Sequence, residues 1–197
     1  MIPKVLDNKV KLLIAIALIF CLSACKVDVK DGKGGPDKVD IETPIGGIHV
    51  NEGADVRDTG LAVYPGARVK EKGNDGDSKS ANVNISSSFF GVRVVALEYE
   101  SDDSPDKVLA FYQDQMKKFG HVIQCHTSKH GGDLTVKTGD DSDSSREVRC
   151  VGSNSGNVTE LKVGTEANQH LVSVEPEGKG SDFALVYIQT RGKEGTI

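Results

Sequence analysis

SPDKVLAFYQDQMKKFG, residues 104–120, is the stretch whose reading decides the fold class. Ser104 is a residue type suited to an N-cap, and Pro105 fits the first helical position. Asp106 places a negative charge where the helix dipole favours one. Val108, Phe111, Tyr112, Met116 and Phe119 recur at the spacing of a single helical face. Lys117 and Lys118 fill the last turn, and Gly120 is the C-terminal cap. The stretch predicts one amphipathic helix over about 104–119. Its apolar stripe reads as core, since such stripes are more often core than a cofactor or partner site.

Working outward, the flanks read as strands. Downstream, HVIQCHT (121–127), LTVKT (134–138), REVRCVG (146–152), TELKVGT (159–165), HLVSVEP (170–176) and FALVYIQTR (183–191) are separated by Gly, Asp, Ser and Asn clusters. Upstream, VNISSSFF (83–90) and VRVVALEYE (92–100) form two more, parted by Gly91. LAVYPGARV (61–69) predicts a short apolar strand entering a type II turn at Pro65-Gly66. There is no alternation of strand and helix of the βαβ kind. The expectation is an α+β domain, residues 58–197, in which an antiparallel β meander has the one helix packed on its apolar face.

Residues 25–57 are expected to be a flexible tether. KVDVKDGKGGPDKVDIETPIGG is rich in Gly, Lys and Asp and poor in large apolar side chains. Ile41, Ile45, Ile48 and Val50, around Pro44 and a Gly pair, could make a short hairpin or an edge strand docking on the domain over 39–50.

The extreme N-terminus has a different character. Lys4, Lys9 and Lys11 precede a continuous apolar run, Leu12 to Leu22, followed by the small residues Ser23 and Ala24 before Cys25. A basic start, a short apolar run and small residues at a cleavage point are the layout of an export signal. Eleven apolar residues in a helix span about 16 Å, roughly half the hydrocarbon core, so a permanent membrane span is disfavoured. Residues 1–24 are therefore expected to be a signal peptide.

Leu22-Ser23-Ala24-Cys25 resembles the lipobox of bacterial lipoproteins. The resemblance implies lipidation of Cys25 by a diacylglyceryl thioether, cleavage before it, and acylation of its new amine with a fatty acid such as palmitate. Lys26, rather than Asp, follows Cys25, and this resembles the outer-membrane sorting pattern. The YPGA turn (Tyr64 to Ala67) with a following helix of the VLAFYQDQMKKFG type resembles uncharacterised bacterial envelope lipoproteins, over about Ile41 to Cys125. That resemblance implies a fold and a location and no reaction. Several acyl chains on one cysteine would hold a protein to a membrane where one chain gives only marginal binding.

Charge and cysteines narrow the functions further. The whole chain carries a net charge of −5. Removal of a signal that is itself basic leaves the mature protein near −7, which argues against a nucleic-acid partner. Cys125 and Cys150 remain after Cys21 leaves with the signal and Cys25 is lipidated. In an exported protein such a pair reads as one disulfide, the alternatives being a reactive thiol or a metal-ligand pair.

No stretch supplies a catalytic constellation. His126 and His130 are four apart, the spacing that holds zinc on a helix, but strand and turn are expected there, so solvated histidines are the preferred reading. Asp140, Asp141 and Asp143 in one loop, and Asp75 and Asp77 in another, lack the spacing of a calcium loop and read as charged tips. GSNSG (152–156) has the glycines of a nucleophile elbow with Asn154 where serine must stand. Glu98 and Glu100 share a strand face and could pair as carboxylates, though a solvent-facing edge is preferred. The sequence thus points to a non-catalytic envelope lipoprotein without a cofactor, anchored in the membrane through Cys25, with an envelope protein as its partner. The competing reading is an envelope metal-binding module or hydrolase using His121, His126, His130 and the acidic loops.

Overall fold

The computed structural model describes residues 26–30, 38–51, 53–70, 80–88, 90–129, 132 and 145–191. Among them the chain is mostly antiparallel β-sheet with one short helix, a mixed α+β fold. The elements are β1 (Lys26–Lys30), β2 (Lys38–Thr43), β3 (Gly46–Asn51), β4 (Arg68–Val69), β5 (Ser80–Ser87) and β6 (Gly91–Ser101). Helix α1 (Pro105–Met116) follows, then β7 (Ile123–Thr127), β8 (Val158–Thr165), β9 (Asn168–Glu177) and β10 (Gly180–Arg191). Residues 1–24, expected to be a signal peptide, and Cys25, Asp75, Asp77, Asp140, Asp141, Asp143, the LTVKT stretch and His130 lie outside the described residues.

The strand order is β1-β2-β3-β5-β6-β10-β9-β8-β7, with β4 pairing on β6 beyond the end of β5. This corrects the single meander. Two meanders, β1 to β6 and β7 to β10, join along β6 and β10, which pair from Ser101↔Ser181 to Gly91↔Arg191. Helix α1 carries the chain from the middle of the sheet to its far edge, and the last three strands fill the space back to β6.

Period-two alternation decides what each face buries. One face presents Val95, Leu97 and Tyr99 of β6, Phe183 and Leu185 of β10, Val172 and Val174 of β9, and Leu161 and Val163 of β8. These cluster with Val108, Tyr112 and Met116 of α1, all three fully buried. Each covered aliphatic side chain of this kind contributes about 1.5–3 kcal/mol. On the other face Leu171, Ala184, Val186 and Ile188 form a smaller cluster, with Val94 and Ala96 against it.

The tyrosine turn is built as its sequence reads. The Ala67 amide donates to the Tyr64 carbonyl at 3.0 Å, and Gly66 has φ of 80°, which a type II turn requires at that position. The stretch before it is not a strand. Leu61 and Tyr64 are buried while Ala62 and Val63 are exposed, and the Tyr64 amide is taken by the Tyr112 hydroxyl at 3.0 Å instead of by a neighbouring strand.

Three more expectations change. The tether of 25–57 is largely replaced by β1, β2 and β3, which extend the sheet outward from β5. Its 39–50 segment is the hairpin of β2 and β3, closing at Thr43↔Gly46. REVRCVG is irregular apart from one bridge, Glu147↔Thr165, because Cys150 is drawn toward β7 rather than along a strand. Ser104 does stand at the helix N-cap, but its side chain makes no capping bond; its carbonyl accepts from the Lys107 amide at 3.1 Å. The helix also tightens into a 3₁₀ turn over Lys117–Phe119 before Gly120.

Candidate functional site

The face of the sheet opposite α1 holds the polar chemistry. Cys125 of β7 stands opposite Glu160 of β8 and so shares this face with it. A disulfide joins Cys125 to Cys150, with their Cα atoms 5.4 Å apart. The bond straps the irregular segment 148–152 beside β8. Between that segment and the β8–β9 turn lies a cleft of about 380 Å³, lined by Val148, Arg149, Val151, Lys162, Glu166 and Gln169 among others.

A buried ion pair lies under the cleft. Glu160 and Lys162, two apart on β8 and hence on one face, meet at 3.0 Å, with side chains only 2% and 3% exposed. Above them Arg146 and Arg149 approach Glu166 at 3.7 and 3.9 Å. Taking two charges out of water costs several kcal/mol per ion before their attraction offsets it. A free general base would lack a fixed cation beside it, so this pair builds a recess of balanced charge better than it builds an acid–base site.

A second polar group lies at the other end of the same face. Lys70 pairs with Asp182, near Glu98 and Glu175, around a cavity of about 10 Å³, enough for one water. The Asp182 hydrogen bond raises the Lys70 ammonium above its ordinary value against the opposing effect of burial. Glu98 and Glu100 do share a face, as their spacing predicts. Arg68, however, bonds Glu100 at 3.0 Å and Asp102 at 3.0 and 3.2 Å. With Glu100 held to a guanidinium as its counter-ion, it is fixed as a paired carboxylate rather than left to act as acid or base beside Glu98.

The sequence-predicted histidines are not brought together among the described residues. The His126 amide donates to the Asn154 side chain at 2.7 Å, and its ring Nδ1 is 3.5 Å from the Thr159 hydroxyl. His121 is exposed after the helix. Among the described residues no group of three metal-ligating side chains is assembled. Asn154, in the place of an elbow nucleophile, is a loop residue with φ of 49°.

Sequence reading missed His170 and the Glu160–Lys162 pair. His170 is buried, stacked on Phe119 with ring centroids 3.7 Å apart, and its Nδ1 donates to the Thr59 carbonyl at 2.9 Å. Burial pushes its imidazole below the ordinary value, with the Thr59 bond opposing. Nothing in HLVSVEP distinguishes this histidine from a surface one. For TELKVGT, alternation places Glu160 and Lys162 on the outer face, and only the neighbouring disulfide could have hinted that this face is covered.

Comparison with protein families, curated proteins and solved structures found no match for this chain.

Proposed function

We propose that this chain is a lipid-anchored protein of the bacterial envelope, a non-catalytic binding or structural module held to the membrane through Cys25. The observation that carries the reading is Leu22-Ser23-Ala24-Cys25 at the end of a short apolar run within the first thirty residues. Residues 1–24 are removed in this reading, and Lys26 directs the mature protein to the outer membrane. The bonded Cys125–Cys150 pair supports an oxidising compartment, where such bonds persist. The α1 stripe then serves packing against one face of the sheet, and a partner from the envelope is met elsewhere. The disulfide-side cleft, with its arginine and carboxylate rim, is the recess on which we centre that binding.

Labelling with palmitate tests the anchor. The wild-type chain should take up label and lose its signal, while Cys25→Ser should yield an unlabelled, uncleaved or soluble product. Label that survives the substitution overturns the reading.

A further inference from the structure

Around β3, β5 and β6 the two ends of the strands differ in chemistry, although Arg191, opposite Gly91, keeps one charge beside the β5–β6 turn. At one end lie Asp102, Asp103, Glu177 and Lys179, in the β6–α1 and β9–β10 connections. The other end carries the β2–β3 turn, with Ile45 at 70% exposure, and the β5–β6 turn, with Phe90 at 39%. One bond ties the two tips together, the Ser88 amide donating to the Ile45 carbonyl at 3.3 Å, while the Ser87 amide closes the β5–β6 turn on the Phe90 carbonyl at 2.8 Å. Gly46 permits this approach, since a Cβ there would lie 2.1 Å from the Ser86 carbonyl oxygen.

Strand β1 starts at this same end. Lys26 is opposite Glu42, one residue short of the turn, and Cys25 is the residue before Lys26. The wing from β1 to β6 is also two-sided. Val27, Ile41, Ile48, Ile85 and Val92 lie in register on one side, whereas Asp28, Asp40, His49 and Asn84 lie on the other. This is the sheet counterpart of an amphipathic interfacial helix.

The geometry points to a membrane-contacting tip: Ile45 and Phe90 enter the acyl boundary of the bilayer beside the lipid on Cys25, with the aliphatic side of the wing turned toward the lipid. The inference rests on the anchor reading and adds an orientation to it. A second copy is the competing occupant. Five strands about 4.8 Å apart and about five residues long present about 400 Å² per copy, against roughly 800 Å² per partner in a stable interface. A copy would also leave the convergence of both apolar tips on the Cys25 end without a reason.

The sequence contains no Trp, so each introduced indole is the sole one. The full lipidated protein carrying Ile45→Trp, Phe90→Trp or, as the charged-end control, Lys179→Trp would be placed in phosphatidylcholine vesicles with and without brominated acyl chains. Mass measurement of the N-terminal peptide reports the anchor separately. The expected result is blue-shifted emission at 45 and 90 that brominated lipid largely abolishes, with emission at 179 unchanged. Unquenched emission at both tips in an acylated protein overturns the proposal. Blue-shifted emission insensitive to bromine, and reverting when protein is diluted in lipid, overturns it in favour of a second copy. If Cys25 carries no acyl chain the anchor reading fails; quenching at both tips would still support the contact, and its absence would overturn it.

Discussion

The backbone amide of Tyr64 donates a 3.0 Å hydrogen bond to the hydroxyl of Tyr112, forty-eight residues away in the helix. Both groups are buried, and the bond fixes the tyrosine turn to the middle of α1. Around it Tyr64, Phe111, Tyr112 and Phe183 make ring contacts of 5.0 to 6.3 Å between centroids.

Tyr112→Phe keeps the ring and removes the acceptor of a buried amide, which should cost about 1–3 kcal/mol. Tyr112→Ala adds a cavity in a fully covered site and should cost about 3–5 kcal/mol. Lys117→Ala, on the exposed side, should change stability by less than about 0.5 kcal/mol. Urea titration of the three variants orders them; a Phe variant as stable as the wild type would show that the Tyr64 amide finds another partner.

His170 should make the domain sensitive to acid. Its folded pKa lies below the ordinary 6.5 because the ring is buried, and Lys118 nearby adds to the effect. The unfolded chain therefore takes up this proton first as pH falls. The contribution is complete above 6.5 and is lost progressively on the acid side, through the folded value. Melting followed against pH should show a steeper decline below 6.5 for the wild type than for His170→Gln, which keeps a donor and does not titrate. Parallel curves would assign the acid sensitivity to other groups.

Breaking the Glu160–Lys162 pair from one side should be worse than removing it whole. Lys162→Met or Glu160→Leu alone takes the 3.0 Å ion-pair partner from a buried charge, a loss of about 3–5 kcal/mol, whereas the two substitutions together should be near neutral. Denaturation of the four proteins forms a double-mutant cycle. Additive losses would mean that the two side chains do not depend on each other.

Reduction should cost the domain about 2–5 kcal/mol, the usual range for losing a native bridge from a small domain. Non-reducing peptide mapping should recover one pair joining Cys125 to Cys150. Two titratable thiols in the unreduced native protein would contradict the bond.

The helix and the strands of VNIS, VRVVALEYE, HVIQCHT, TELKVGT, HLVSVEP and FALVYIQTR were legible because each carries its period locally: the stripe from Val108 to Phe119, and the alternation of Val95, Leu97 and Tyr99. Residues 26–51 were harder, since β1 to β3 are short, polar on every second position and ordered through pairing with β5, which no local pattern displays. The order of the strands was illegible for the same reason. A turn of Pro65-Gly66 declares its geometry, while the meeting of β6 with β10 joins residues from 80 apart, Ser101 with Ser181, to 100 apart, Gly91 with Arg191. The cleft was illegible too, because Glu160 and Lys162 look like solvated residues until the segment strapped by Cys150 is placed beside them.

The seam between β6 and β10 has a consequence for how the protein is made. Among the described residues the most C-terminal strand, β10, lies in the middle of the sheet, so the two groups of strands cannot join until residues 180–191 have arrived. Contacts this distant in sequence slow folding, and until then β6 presents a long unpaired edge, the kind that invites pairing with another chain. A chain truncated before Gly180 would therefore keep its helix sequence and most of its strands yet be left with two open half-sheets.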